Sequence, residues 1–381
     1  MIPRTVFSEE HEMFRASARR FVDEEIVPHH AKWEKDGKVS REVWLAAGEA
    51  GLLCPSVPEE YGGPGGDFLM TVIVAEELAR AGTTGPGFPL HSEIVAPYIL
   101  HYGSEDQKRD WLPKMVRGEV IGAIAMTEPS AGSDLQRIRT TARMDGNQYV
   151  LNGQKVYITN GYTADLVITA AKTNPDEGAR GISLILVPGT TDGFERGRNL
   201  EKIGWHAQDT AELFYSDARV PATNLLGPEE GQGFFQLVDQ LPQERLLSAL
   251  RSASVIEAAL DWTVAYTSDR QAFGRPVIGF QNTRFKLAEV KAQAAMLRCF
   301  IDRCIALHVD GGLTADDAAM AKLMATDMMC QALDECLQLH GGMGYMWETP
   351  IARAWADNRM ARIAGGSSEI MKEIIGRTLS A

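Results

Sequence analysis

The feature that most constrains this chain is a double change of hydrophobic period. Up to about residue 123 apolar residues recur at helical spacing. From 124 to about 230 short β-prone runs separated by turn residues take over, and beyond Gly231-Gln-Gly233 the pattern is helical to the end. A β-rich island of roughly one hundred residues is the size of one domain, so three units are predicted, at 1–123, 124–230 and 231–381.

Local signals fill these units in. Ser8 ahead of Glu9 and Glu10 is a favourable helix start, with acids at the positive end of the dipole. Met13, Phe14, Phe21 and Val22 then recur at helical spacing. Phe68–Arg80 predicts a further helix, stopped at Gly82. Ser104-Glu-Asp-Gln107 is a capping box ahead of Trp111 and Leu112. Tyr149-Val-Leu151 and Val156-Tyr-Ile-Thr159 flank Asn152-Gly153, which predicts a two-residue hairpin. More strands are predicted at 166–169, 182–187 and 212–215, together a small antiparallel barrel or sandwich. Residues 285–308 and 315–340, the latter capped by Thr314, predict long helices of a bundle. Met320, Leu323, Met324 and Met328 read as its core.

Composition narrows the function. The net charge of −13 argues against nucleic acid as the main partner, since phosphate binding needs a basic face. Five cysteines, at 54, 299, 304, 330 and 336, form no CxxC and are odd in number, which suits a reducing compartment. The longest apolar run, Phe68 to Ala75, is far too short to span a bilayer, and the N-terminus shows no secretion signal. The expectation is therefore a cytoplasmic protein without membrane insertion.

No GxGxxG, Walker loop, HExxH or GxSxG occurs, so a nicotinamide Rossmann site is not supported. The eight histidines are scattered and no metal is predicted. His340-Gly-Gly-Met-Gly-Tyr345 follows a helix and reads as a tight turn. Ile124-Ala-Met-Thr-Glu-Pro-Ser-Ala-Gly-Ser-Asp134 offers N–H groups and hydroxyls without bulk, which a polar heteroaromatic ring or a phosphate needs. Glu244 shares a helical face with Leu247, Ser248, Arg251 and Val255. From pattern alone its simplest reading is an ion pair, to Arg251 or to a neighbouring helix. Arg270-Gln-Ala-Phe-Gly274 by itself reads as a surface helix end.

Six blocks in register change these readings. They are Ala125-Met-Thr-Glu-Pro-Ser-Ala-Gly-Ser-Asp134, Leu151-Asn-Gly-Gln-Lys155 with Ile158-Thr-Asn-Gly161, Gln208-Asp-Thr210, Arg270-Gln-Ala-Phe-Gly274 with Gln281, Gln338-Leu-His-Gly-Gly342, and Ile363-Ala-Gly-Gly-Ser-Ser-Glu-Ile370. Over nearly its whole length the chain resembles the acyl-CoA dehydrogenase family. Leu241-Pro-Gln-Glu-Arg-Leu-Leu247 and Gly344-Tyr-Met-Trp-Glu348 are similar to its long-chain branch. Many members carry the catalytic glutamate in the last block, where this chain has Gly365. The long-chain and isovaleryl branches place it at the position of Glu244.

The resemblance implies an α+β multidomain fold: an N-terminal all-α domain, a middle antiparallel β-barrel and a C-terminal four-helix bundle. It implies FAD, a homotetramer whose neighbouring subunit completes the flavin site, an acyl-CoA substrate, and electron-transfer flavoprotein as acceptor. Ile124, Met126, Thr127, Ser133, Tyr157 and Thr159 would face the flavin of their own subunit. Arg270, Ala272, Phe273, Gln281, Gln338, Gly341 and Gly342 would hold the adenosine diphosphate part across the interface. Ser367 and Glu369 match further cofactor contacts, and Ser133, Arg245 and Gly366 match substrate contacts. Glu244 becomes the expected base and the Gly365 N–H an oxyanion donor. Ala364 departs from the aromatic that many relatives carry there, which leaves chain length and branching open. A branched short-chain dehydrogenase or a flavin oxidase would use the same scaffold. A nucleic-acid-binding relative is disfavoured by the charge and by the acid at 244.

Overall fold

The computed structural model describes residues 2–379. Helix α1 (Glu9–Phe21) begins where the Ser8 and His11 side chains each cap the other's backbone N–H. It passes through a π-helical turn into α2 (Val27–Asp36), which ends on Gly37 in the left-handed region. Helices α3 (Arg41–Glu49) and α4 (Phe68–Arg80) follow, and α4 stops at Gly82, with φ +67°, as predicted. A short α5 (Phe88–Leu90) continues through a π-helical turn, His91–Val95, into α6 (Ala96–Tyr102). Helix α7 (Glu105–Val116) carries the predicted Ser104/Gln107 capping box.

The middle region is a seven-stranded curled sheet of β1 (Gly122–Ala125), β2 (Thr141–Asp145), β3 (Gln148–Thr159), β4 (Leu166–Lys172), β5 (Ile182–Pro188), β6 (Phe194–Asn199) and β7 (Thr210–Pro221). Two expectations need correction. The sheet is not wholly antiparallel, because β1 and β2 both pair with β4 in parallel. Nor is there a hairpin at Asn152-Gly153. The turn lies one strand earlier, at Gly146-Asn147, with Gly146 at φ +64°, and β3 runs unbroken past Gly153. Gly153 marks a bulge instead: a Cβ there would stand 2.6 Å from the Cα of Thr140.

The C-terminal region comprises α8 (Gly233–Asp269), a small hairpin of β8 (Gln271–Ala272) and β9 (Arg275–Pro276), α9 (Gln281–Val309), α10 (Ala315–Leu339), α11 (Pro350–Asn358) and α12 (Ser368–Thr378). Thr314 caps α10 as predicted. Of the predicted stripe, Met328 lies in the bundle core, while Met320 and Leu323 are half-buried. Met324 is 48% exposed, and α10 turns Ala321, Ala325, Met329, Ala332 and Leu333 inward. Small side chains let α10 lie close to α8, whose Leu246, Leu250 and Ile256 fill the same core. Each fully buried leucine or isoleucine there contributes about 1.5–3 kcal/mol. A second core decides where the site can be: Val95, Tyr98, Ile99 and Leu112 pack against Ile168, Leu184 and Leu186 of the sheet and Leu237 of α8. Helix α6 is thereby wedged between the sheet and the start of α8.

Candidate active site

Two hydrogen bonds pin α8 against that wedge. The Gln243 side-chain amide donates to the carbonyl of Glu93 at 2.7 Å, and the Tyr98 hydroxyl donates to Glu244 Oε1 at 2.9 Å. Glu244 is 8% exposed. Burial pushes its carboxyl up to about 7, while the Tyr98 hydroxyl and the Arg245 charge pull in the other direction. The ion pair to Arg251 suggested by helical spacing is not formed. Arg251 sits two turns on, its guanidinium over the Trp205 ring at 4.7 Å. Among the described residues Glu244 is thus a buried carboxyl held by one neutral donor.

The end of the chain supplies a second element. Gly365 and Gly366 are consecutive residues in the left-handed region, at φ +66° and +94°. A Cβ on Gly365 would meet nothing within 4 Å, so open space lies beside it. The Lys322 ammonium, from α10, donates to the Gly366 carbonyl. Its charge also opposes that of Arg245 on α8. Arg245 is buried, and its Nε has no partner among the described residues.

A third element joins β1 to β3. The Val156 N–H donates to the Thr127 carbonyl at 3.0 Å, and the buried Lys155 donates to the Met126 carbonyl at 3.0 Å and to Glu128 at 2.8 Å. These bonds bring Ile124, Met126 and Thr127 beside Tyr157 and Thr159. Tyr157 lies in a bulge at φ +62° and is 69% exposed. A bulky residue in that region is a true outlier, and such strain clusters at functional positions. Ser133 lies exposed on the turn that follows.

The remaining expected cofactor residues are on the surface of the single chain. Phe273, at φ +50° and 97% exposed, tips the β8–β9 hairpin between Arg270 and Gln281, with Ala272 half-buried beside it. Gln338, Gly341 and Gly342 are exposed at the far end of α10. Ser367 caps α12, and Glu369 is exposed in its first turn.

Three family descriptions match in series: "Acyl-CoA dehydrogenase, N-terminal domain" over residues 8–119, the "middle domain" over 123–218 and the "C-terminal domain" over 231–380. The long-chain specific acyl-CoA dehydrogenase of Sus scrofa is 52% identical over 378 residues, 99% of this chain and 88% of that protein. The chain belongs to the acyl-CoA dehydrogenase family. The crystal structure of an acyl-CoA dehydrogenase from Geobacillus kaustophilus superposes with a TM-score of 0.97 at 49% identity, covering 100% of both chains. A glutaryl-CoA dehydrogenase from Mycobacterium smegmatis, solved in complex with FADH2, gives 0.90 at 28% identity over 98% of this chain and 95% of its own. An acyl-CoA dehydrogenase is an FAD-dependent oxidoreductase, and the donor set of this one fits the group. The strained and exposed Tyr157 offers a ring face, Thr127 and Thr159 offer hydroxyls beside it, and the glycine turn leaves space.

Sequence reasoning missed Tyr98, Lys322 and the Lys155–Glu128 pair. For Lys322 a signal existed, since it sits in an otherwise apolar run. Tyr98 carried none, because its partner is 146 residues away.

Proposed function

We propose that this acyl-CoA dehydrogenase removes a proton from C2 and a hydride from C3 of a fatty acyl-CoA thioester, giving the trans-2-enoyl-CoA, with Glu244 as the base. One observation carries the reading: among the described residues Glu244 is buried with a single neutral donor, and its carboxyl is pushed up to about 7. A base works best when its pKa lies near the working pH, and burial without a cation partner supplies that. The structural alternative, a salt bridge, would hold the carboxyl low.

As C2 loses its proton the thioester oxygen gains negative charge. The Gly365 N–H is the donor assigned to it, on the glycine turn beside which Ala364 is exposed and adds no bulk. A donor aimed at developing charge lowers a barrier by roughly 3–4 kcal/mol. Arg245, Ser133 and Gly366 are assigned to binding the thioester. FAD, when bound, supplies the acceptor for the hydride from C3, and electron-transfer flavoprotein is the assigned external acceptor. Ile124, Met126, Thr127, Ser133, Tyr157 and Thr159 would hold the ring system within one subunit. Arg270, Ala272, Phe273, Gln281, Gln338, Gly341 and Gly342 would reach the adenosine diphosphate part of a neighbour in a homotetramer, with Ser367 and Glu369 at the terminal turn. The exposure of Phe273 supports a role outside its own chain. The space around Ala364 and Gly365 favours a long or branched acyl chain.

The test is anaerobic titration with acyl-CoA esters of graded length, followed at the flavin absorbance. Bleaching with medium, long or branched esters is expected. No bleaching with any ester overturns the reading.

A further inference from the structure

Lys322 is fully buried on α10, and its ammonium finds a backbone carbonyl, that of Gly366, as acceptor. The charges facing it come from three helices. Arg245 on α8 repels it, Asp327 lies one turn along α10, and Glu369 is on α12. Neither carboxylate is committed to it: Asp327 pairs with Arg362 at 2.6 Å, and Glu369 is exposed. An ammonium stripped of water and without a paired anion is costly. Lys322 is thus a buried cation on a turn of two glycines, and it faces a second one, Arg245, whose Nε has no partner among the described residues and which neighbours Glu244. Two adjacent glycines are the most mobile backbone a chain can offer, so whatever fixes them fixes their N–H groups. Lys322 projects from a 25-residue helix and is the hydrogen-bonded tether between the bundle and that turn.

We propose that Lys322 is a positioning residue for proton removal: it locks the Gly365-Gly366 turn so that the Gly365 N–H stays aimed at the thioester oxygen, and it sets a positive charge near the oxygen as that atom becomes negative. The proposal rests on the reading of Glu244 as base and Gly365 as donor. No bond to Lys322 forms or breaks. The proton passes from C2 to Glu244, and the electron pair left behind is delocalised onto the oxygen.

The test uses the flavin-loaded protein with Lys322→Met and Lys322→Gln. The second variant keeps a donor for the Gly366 carbonyl but removes the charge. A 3-thia-acyl-CoA, in which sulfur replaces C3, cannot give up a hydride, so it reads proton removal alone through the long-wavelength absorbance of its enolate beside the flavin. For Lys322→Met, kcat should fall at least roughly tenfold with KM changed less than about threefold, a loss confined to the transition state. The pH at which the enolate forms should rise by about one unit. Lys322→Gln should fall between Lys322→Met and the unaltered enzyme. Unchanged kcat and enolate midpoint in either folded variant overturn the proposal, and if Lys322→Met does not fold, Lys322→Gln decides by the same measures. Glu244→Gln run alongside separates the two readings. An enolate band that persists there removes Glu244 as base, while silence there with unaltered lysine variants removes Lys322 alone.

Discussion

Glu128 and Glu244 are both buried carboxyls, 5% and 8% exposed, and they have opposite fates. Burial pushes each upward. At Glu128 the push is outweighed by the Lys155 ammonium at 2.8 Å, the Thr140 N–H at 3.0 Å and the Arg139 N–H at 2.6 Å, and the carboxyl is held below its ordinary value. At Glu244 one tyrosine hydroxyl at 2.9 Å leaves it at about 7. The number and charge of the donors, and not burial, separate a carboxyl that braces the segment between β1 and β3 from one whose pKa is raised.

The largest expected effect tests the reactive side of this contrast. Glu244→Gln should lower acyl-CoA-dependent flavin bleaching by about 10²–10⁴-fold, the usual worth of a positioned base, while flavin and ligand binding persist. Undiminished bleaching would place Glu244 with Glu128 among structural carboxyls. The structural side is tested by Lys155→Met, which leaves Glu128 buried without its cation. Breaking a buried pair from one side costs roughly 3–5 kcal/mol, so a large fall in the denaturation midpoint and looser flavin retention are expected. A variant with unchanged stability would show that the two N–H donors suffice.

A smaller effect asks whether the reactive carboxyl can be moved. In a Glu244→Gln background, Gly365→Glu should restore part of the bleaching, since a side chain there enters open space. The residue stands at φ +66°, so the substitution carries a backbone cost of about 1–2 kcal/mol and recovery should be incomplete. No recovery at all, in a protein that still binds flavin, would mean that the cavity cannot seat an acid on this side.

The parts of this picture that the sequence held are those set by neighbours along the chain. The Ser8, Ser104 and Thr314 caps and the Gly82 stop are local chemistry, and each element starts or ends where they say. The failures have one physical cause, that a local signal was answered by a distant contact. Asn152-Gly153 looks like a turn, but its glycine is needed because Thr140 crosses behind it. The stripe of Met320, Leu323, Met324 and Met328 looks like one core face, but of these Met328 joins the core, which α10 otherwise fills from Ala321, Ala325, Met329, Ala332 and Leu333. Glu244 and Arg251 share a helical face, yet Trp205 captures the guanidinium. The resemblance pointed to position 244. The hydrogen bond that tunes it could not be read, because Tyr98 and Lys322 reach the site from other helices.

The finest test of the contrast removes the single donor from Glu244. The Tyr98 hydroxyl donates to the carboxylate, so it favours the ionised form, and Tyr98→Phe should raise the carboxyl above about 7. On the proposed reading of Glu244 as the base, turnover needs that carboxyl ionised and is lost as pH falls through its pKa, so the acid limb of kcat/KM should move to higher pH. A hydrogen bond contributes about 1 kcal/mol, and a pKa unit corresponds to about 1.4 kcal/mol, which gives a shift of roughly 0.7 unit. The alkaline limb should stay in place, because Tyr98 faces no other group invoked in the reaction. An acid limb that does not move would mean that Tyr98 leaves Glu244 when substrate enters. Donor count in the free protein would then no longer explain why one buried glutamate reacts and the other does not.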